Sequence, residues 1–167
     1  MEEKTPTKVV IVFPIRNEQV LLARKTGKIG AGCLNGYGGE IEDGESARQA
    51  AVRELEEESG LEVLQASLEE VALITFHNQK VDGTIVPCEG HVFFARGCDG
   101  VAKSTPEMAA PTWFNITAIA YDEMMLADKE WLPLVFAGKK IIGTVWYGPF
   151  QKTLLKPTII REVESFD

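Results

Sequence analysis

A chain of 167 residues that is 45% hydrophobic, 25% charged and 8% aromatic has the length and composition of one globular domain, expected over residues 1–167. It contains no apolar run near the roughly 20 residues that span a bilayer, and its polar start is unlike a signal peptide. The net charge of −8 argues against a nucleic-acid polymer as partner, and three cysteines without CxxC spacing predict neither a disulfide framework nor a zinc knuckle. We therefore expect a cytoplasmic protein with no membrane partner.

The first segments predict a strand hairpin followed by a glycine-rich loop. Residues 8–16 and 19–24 are mostly apolar, which is typical of buried strands, and Asn17-Glu18 supplies the turn between them. Residues 26–40 are rich in glycine and are expected to form loop and short strand.

A helix is predicted over residues 43–61, with capping signals at both ends. Ser46 is a preferred N-cap residue, and Gln49 three positions later completes a capping box. Gly60 suits the left-handed conformation that ends many helices.

The second half of the chain predicts more strands and one more helix. A helix is expected over 128–140, entered through Asp128 and with Pro133 near its first turn. Strands interrupted by two helices predict an α/β fold with a mixed sheet. Pro157 weakens the last of the strands, which are expected at 68–78, 91–97, 112–116, 143–148 and 153–160.

The segment RELEEESG, residues 53–60, concentrates negative charge on the first helix. Because a helix turns about 100° per residue, Glu54, Glu57 and Glu58 project from one face, while Glu56 points elsewhere. Such charge runs are usually solvated helix faces, and each exposed like-charge pair costs only about 0.2–0.5 kcal/mol. The cluster by itself leaves a solvated face and a cation site as alternatives.

The residues around the cluster decide between these alternatives. The pattern is Gly, five residues, Glu, seven residues and then Arg-Glu-Leu-Glu-Glu-Glu-Ser-Gly-Leu. It resembles, without a gap, the signature of the Nudix hydrolase family. The fixed positions that agree are Gly39, Glu45, Arg53, Glu54, Glu57, Glu58 and Gly60.

The resemblance implies an α/β/α sandwich with a central mixed sheet, and a cleft to which this helix presents its acids. It also implies Mg²⁺ as cofactor, with Mn²⁺ as a substitute, because hard carboxylate oxygens are the ligands that Mg²⁺ prefers. Arg53 is implied to brace Glu45 and Glu54 rather than to touch substrate. The implied metal ligands are Glu54, Glu57, Glu58 and the backbone carbonyl of Gly38, and the implied catalytic residues are Glu45, Arg53, Glu54, Glu57 and Glu58.

Other segments resemble the MutT-type subgroup, in which the vertebrate enzymes hydrolyse oxidised purine nucleoside triphosphates. The stretches GAGCLNGYGGE, EMAAPTWF and DKEWLPLV carry this resemblance, which covers most of residues 8–147. It implies that Asn35 contacts the base, that Lys25 lies near the pocket, and that Glu107 is a further metal ligand or base. The residues expected to bind substrate are Lys25, Asn35, Tyr37, Gly38, Gly39 and Asp128.

The chain departs from this subgroup where the base is read. Asp128 matches the second of two adjacent aspartates, but Ala127 replaces the first and Met125 replaces a stacking tryptophan. Leu34 and Ile29 also stand in place of aromatic residues. Discrimination through buried hydrogen bonds needs both partners, so the base preference carries over less securely than the phosphate chemistry.

Structural alternatives exist for several of these residues. Asn35 could be only a turn residue, Asp128 only a helix N-cap, Tyr37 only a core residue and Lys25 only a surface charge. Core positions rather than stacking platforms are expected for Trp113 and Trp131.

The combined prediction is a Mg²⁺-dependent hydrolase of nucleoside diphosphates linked to another group, in which water attacks phosphorus and Glu57 or Glu58 helps to deprotonate it. The leading substrate is a nucleoside triphosphate, such as the oxidised purine 8-oxo-dGTP, cleaved to monophosphate and pyrophosphate by a monomer or homodimer. Alternatives are a pyrimidine triphosphate, ADP-ribose, a dinucleoside polyphosphate, or a nucleotide-binding module without hydrolysis.

Overall fold

The computed structural model describes residues 5–167, and within this range the chain forms nine strands and two α-helices. No helix of these residues is long and apolar enough to cross a membrane. The strands are β1 (Thr7–Arg16), β2 (Gln19–Lys25), β3 (Leu34–Asn35), β4 (Tyr37–Glu40), β5 (Leu68–Gln79), β6 (Ile85–Arg96), β7 (Met108–Asn115), β8 (Lys140–Tyr147) and β9 (Ile159–Val163), and the helices are α1 (Ala47–Ser59) and α2 (Asp128–Phe136).

The strands form one mixed sheet, as predicted. Its main path runs β3-β2-β1-β6-β5-β8-β9, with β4 paired to β1 and β7 paired to β2. The pairs β1–β6 and β5–β8 are parallel, and the remaining pairs are antiparallel. Because β4 shares an edge of β1, the short strand before α1 is fixed against the centre of the sheet.

The two faces of the sheet are covered by different helices. Successive side chains of a strand point to opposite faces, so Val10 and Val12 of β1 belong to one core cluster and Phe13 and Ile15 to another. The first cluster includes Ala50, Ala51 and Leu55 of α1, and the second includes Trp131, Leu132 and Val135 of α2. This arrangement is the α/β/α sandwich expected from the sequence.

Helix α1 is held by the predicted caps. The Ser46 hydroxyl accepts from the Gln49 N–H at 3.1 Å, and the Gln49 side chain accepts from the Ser46 N–H at 2.8 Å. Gly60 has φ of +79° and its N–H donates to the Glu56 carbonyl at 2.8 Å. The helix is shorter than the predicted 43–61 because these caps stand inside that range.

Several predicted bounds are wrong, each for a local reason. Helix α2 ends at Phe136 rather than at residue 140, because Gly138 takes a left-handed φ of +88° and the Lys139 N–H donates back to the Leu134 carbonyl at 3.1 Å. Pro133 lies inside the helix rather than in its first turn. The strand predicted at 153–160 begins only at Ile159, after Pro157. Strand β6 starts earlier than predicted, because it continues to pair with β5 up to Ile85.

Candidate active site

Two glycines bring β4 into direct contact with β1 and α1. A Cβ on Gly38 would collide with the Val10 carbonyl, and a Cβ on Gly39 would collide with the Glu54 carboxylate. The Gly38 N–H donates to Glu58 Oε1 at 2.8 Å. The missing side chain of Gly38 therefore lets β4 approach β1, and that of Gly39 leaves room for the Glu54 carboxylate.

Arg53 braces the acidic face from the side, as the sequence predicts. Its Nε and Nη2 donate to the two oxygens of Glu45, each at 2.8 Å, while Nη1 donates to Glu54 Oε1 at 2.8 Å. Nη2 also donates to the Glu40 carbonyl at 3.1 Å. The hydrogen bonds from Arg53 lower the pKa of Glu45 to about 2, and those to Glu45 raise the pKa of Arg53 above its ordinary value.

Glu58 is the most buried acid of the cluster, with 8% of its surface exposed. Burial raises its pKa to about 7, and the charges of Glu54 and Glu107 act in the same direction. The Gly38 N–H and the charge of Lys25 oppose this rise. Glu107 thus lies near the cluster, as predicted. It stands on a loop, and its backbone carbonyl accepts from the Thr26 N–H at 3.1 Å.

Glu57 is oriented differently from the other predicted metal ligands. Its side chain is 59% exposed, compared with 13% for Glu54, and its Oε2 lies 3.4 Å from Arg53 Nη1. In the described part of the chain, residues 5–167, no three His, Cys, Asp or Glu side chains are gathered as a preformed metal cage. The described geometry therefore holds Glu54 and Glu58 against β4 and leaves the Glu57 carboxylate apart from them.

The donor set nevertheless fits a hard divalent cation. All of the predicted side-chain ligands supply carboxylate oxygens, which Mg²⁺ and Mn²⁺ bind well. Gly39 leaves open the space beside Glu54 that a Cβ would fill. A cation there would also offset the mutual repulsion that contributes to the raised pKa of Glu58.

A second group of side chains converges beside the acids, around Gly30. A Cβ on this glycine would lie 2.9 Å from Asn35 Nδ2, 3.2 Å from Met125 Sδ and 3.7 Å from Lys25 Cδ. Burial lowers the pKa of Lys25, and the charge of Glu58 opposes this shift. Lys25 therefore connects the acidic cluster to this second group, whereas the sequence left open that it was only a surface charge.

Asp128 is a buried carboxylate rather than an N-cap. Ala127 occupies the N-cap position of α2, and no side chain caps the helix there. Asp128 is 5% exposed, and its Oδ1 accepts from Trp131 Nε1 at 3.2 Å. Burial raises its pKa to about 7. Burial raises the pKa of the Cys33 thiol, and the charge of Asp128 adds to this rise. Cys33 therefore lies near Asp128.

The burial of Tyr37 agrees with the alternative that it is a core residue, and its assignment as a substrate-binding residue stays a prediction. Its ring is completely buried in the cluster beneath α1. Trp131 is also core, at 2% exposed, as predicted. Trp113 packs on the edge of the core beneath Arg16, whose guanidinium carbon lies 4.1 Å from its ring centroid. Cys33 was missed, since no sequence signal marks an isolated cysteine in a loop.

Comparisons with known proteins agree with this geometry. The family model for the NUDIX domain matches residues 5–135. The oxidized purine nucleoside triphosphate hydrolase of Mus musculus is 35% identical over 156 residues, covering 93% of this chain and 95% of the relative. The Danio rerio protein of the same name is 38% identical over 140 residues and 84% of each chain. The crystal structure of a MutT protein from Bacillus halodurans has a TM-score of 0.77 and 25% identity, covering 92% of this chain and 97% of that one.

Proposed function

The chain belongs to the NUDIX domain family and is a hydrolase of phosphoric anhydride bonds, and from this premise we propose that its substrate is a nucleoside triphosphate. The products would be the monophosphate and pyrophosphate. The proposed substrates are triphosphates of oxidised purines, such as 8-oxo-dGTP. Two relatives that cover most of the chain are named oxidized purine nucleoside triphosphate hydrolases.

The position of Lys25 carries this proposal. The charge of Glu58 acts on the Lys25 ammonium group, so the two side chains lie near each other. The Lys25 stem, Asn35 and Met125 all lie within 4 Å of the position that a Cβ on Gly30 would take. A nucleotide laid across Lys25 would have its phosphates at the acids and its base near Asn35. The amide of Asn35 can both donate and accept hydrogen bonds to a base edge.

The proposed cofactor is Mg²⁺, for which Mn²⁺ would substitute. Glu54, Glu57, Glu58, Glu107 and the Gly38 carbonyl would hold it, and when bound it would neutralise phosphate charge and activate water. Arg53 would keep Glu54 oriented, since its Nη1 already holds one oxygen of that carboxylate. Lys25 would contribute positive charge to the phosphate chain.

A substrate panel tests the proposal. The purified chain would be incubated with Mg²⁺ and each of 8-oxo-dGTP, dGTP, a pyrimidine triphosphate, ADP-ribose and a dinucleoside polyphosphate, and substrate loss and product formation would be followed by chromatography. We expect the highest kcat/KM for an oxidised purine triphosphate and no turnover in EDTA. Higher kcat/KM for ADP-ribose or a dinucleoside polyphosphate would refute the proposed substrate class. Nucleotide binding without hydrolysis at any metal concentration would refute catalysis.

A further inference from the structure

The hydroxyl of Tyr37 is a buried polar group to which the site described above gives no role. Tyr37 is 0% exposed, and no residue in the range 5–167 forms a hydrogen bond with its hydroxyl. An unpaired buried donor destabilises a fold, and a phenylalanine would fill the ring position without that cost. A hydroxyl retained here is therefore expected to acquire a partner in another state of the protein.

The surroundings of Tyr37 identify that partner as Glu58. Tyr37 precedes Gly38 in β4, and the Gly38 N–H holds Glu58 Oε1 at 2.8 Å. The tyrosine ring belongs to the same core cluster as Ala51 and Leu55, which lie seven and three positions before Glu58 and therefore on the same face of α1. Burial raises the pKa of the hydroxyl, and the charge of Glu58 adds to the rise.

Glu58 has one carboxylate oxygen available for such a contact. Oε1 accepts from the Gly38 N–H, while Oε2 receives no hydrogen bond from the described residues 5–167. The Tyr37 hydroxyl, which lacks an acceptor, thus lies close to Glu58, whose Oε2 lacks a donor.

We propose that the Tyr37 hydroxyl is a positioning group that donates a hydrogen bond to the Glu58 carboxylate when the site is loaded. This inference rests on the proposed function, in which Glu58 helps to hold a divalent cation. Carboxylates that bind metals are commonly oriented by hydrogen bonds from outside the ligand set, and losing such a group costs about 10- to 100-fold in affinity or activity.

The test compares Tyr37→Phe with a matched control, Tyr147→Phe. Both tyrosines are 0% exposed, but the Tyr147 hydroxyl already accepts from the Ala127 N–H at 3.0 Å. In EDTA we expect Tyr147→Phe to lower Tm by about 2–4 °C and Tyr37→Phe not to lower it. Calorimetric titration should show Mn²⁺ affinity reduced about tenfold by Tyr37→Phe.

A double mutant separates positioning from packing. In a Glu58→Ala background, which lacks the acceptor, Tyr37→Phe should leave the Mn²⁺ affinity unchanged. The inference is overturned if Tyr37→Phe binds Mn²⁺ as tightly as the wild type, if it loses as much Tm in EDTA as Tyr147→Phe, or if the wild type binds no Mn²⁺. A wild type that binds Mn²⁺ but hydrolyses no nucleotide would refute the proposed function and leave the affinity comparison valid.

Discussion

The acidic cluster and the group of side chains around Gly30 are built in different ways. The cluster comes from one helix and the adjoining β4 residues, where Arg53 and Gly38 fix Glu54 and Glu58 by hydrogen bonds. The group around Gly30 combines side chains from separate segments, because Lys25 and Met125 are 100 positions apart. Asp128 adjoins this group, since its N–H donates to the Met125 carbonyl at 3.0 Å. The proposed phosphate chemistry would thus depend on a local motif and the proposed base recognition on tertiary structure, so we expect the two to respond differently to substitution.

Removing a carboxylate from the cluster should have the largest effect. We expect Glu57→Gln to lower kcat by at least about 100-fold for every nucleotide that the chain hydrolyses, because an amide binds Mg²⁺ more weakly than a carboxylate. The base preference, measured as the ratio of kcat/KM values, should not change. Glu56→Gln is the matched control, since Glu56 is an exposed neighbour on the same helix. A Glu57→Gln variant with near-normal kcat would show that this exposed side chain takes no part in the reaction.

Substitution of Asp128, beside the group around Gly30, should change the base preference instead. Asp128→Asn replaces an oxygen acceptor with an amide donor at a buried position, which costs about 1–3 kcal/mol when a partner is left unpaired. We therefore expect the ratio of kcat/KM for 8-oxo-dGTP over dGTP to change about tenfold, with kcat for the better substrate changed less. Glu130→Gln, an exposed substitution on the same helix, is the control. Equal loss for both nucleotides would mean that Asp128 only supports the fold.

The same contrast explains what the sequence could predict. The spacing at the start of α1 predicted the capping box, because residues close in the chain are placed by helical geometry. The contacts of Arg53 with Glu45 and Glu54 were predicted from the resemblance to the Nudix signature. The role proposed here for Tyr37 could not be predicted from the sequence, since its position between the core and Glu58 depends on how β4 packs beneath α1. Nor could the sequence place Cys33 near Asp128, which requires a loop and a distant helix to meet.

The outward orientation of the Glu57 side chain also could not be predicted from a sequence pattern. Helical periodicity assigns Glu54, Glu57 and Glu58 to one face, yet Glu57 is the exposed member. Arg53 contributes to this difference, because it lies within reach of both Glu54 and Glu57 but makes the shorter contact with Glu54. Helical periodicity gives the direction of a Cα–Cβ bond, and the charges around the side chain determine the position of its carboxylate.

Two carboxylates, one from each region, should give opposite pH dependences of stability. Burial raises the pKa of Asp128 to about 7, above its ordinary 3.8. The folded protein then holds a proton that the unfolded chain releases, so the free energy of unfolding falls as pH rises from about 4 to about 7. Asp128→Asn removes this titration, so its Tm relative to the wild type should rise across that window.

Glu45 reverses the sign and has the smaller expected effect, because its side chain is partly accessible to solvent. Its pKa is lowered from 4.5 to about 2 by hydrogen bonds from Arg53, so the unfolded chain binds the proton first as pH falls. Its contribution is fully present above about pH 4.5 and lost as pH falls towards 2. In EDTA, the Tm deficit of Glu45→Gln should therefore shrink between pH 5 and pH 2.5. A constant deficit would show that Arg53 supports the helix by packing, without an ion pair to Glu45.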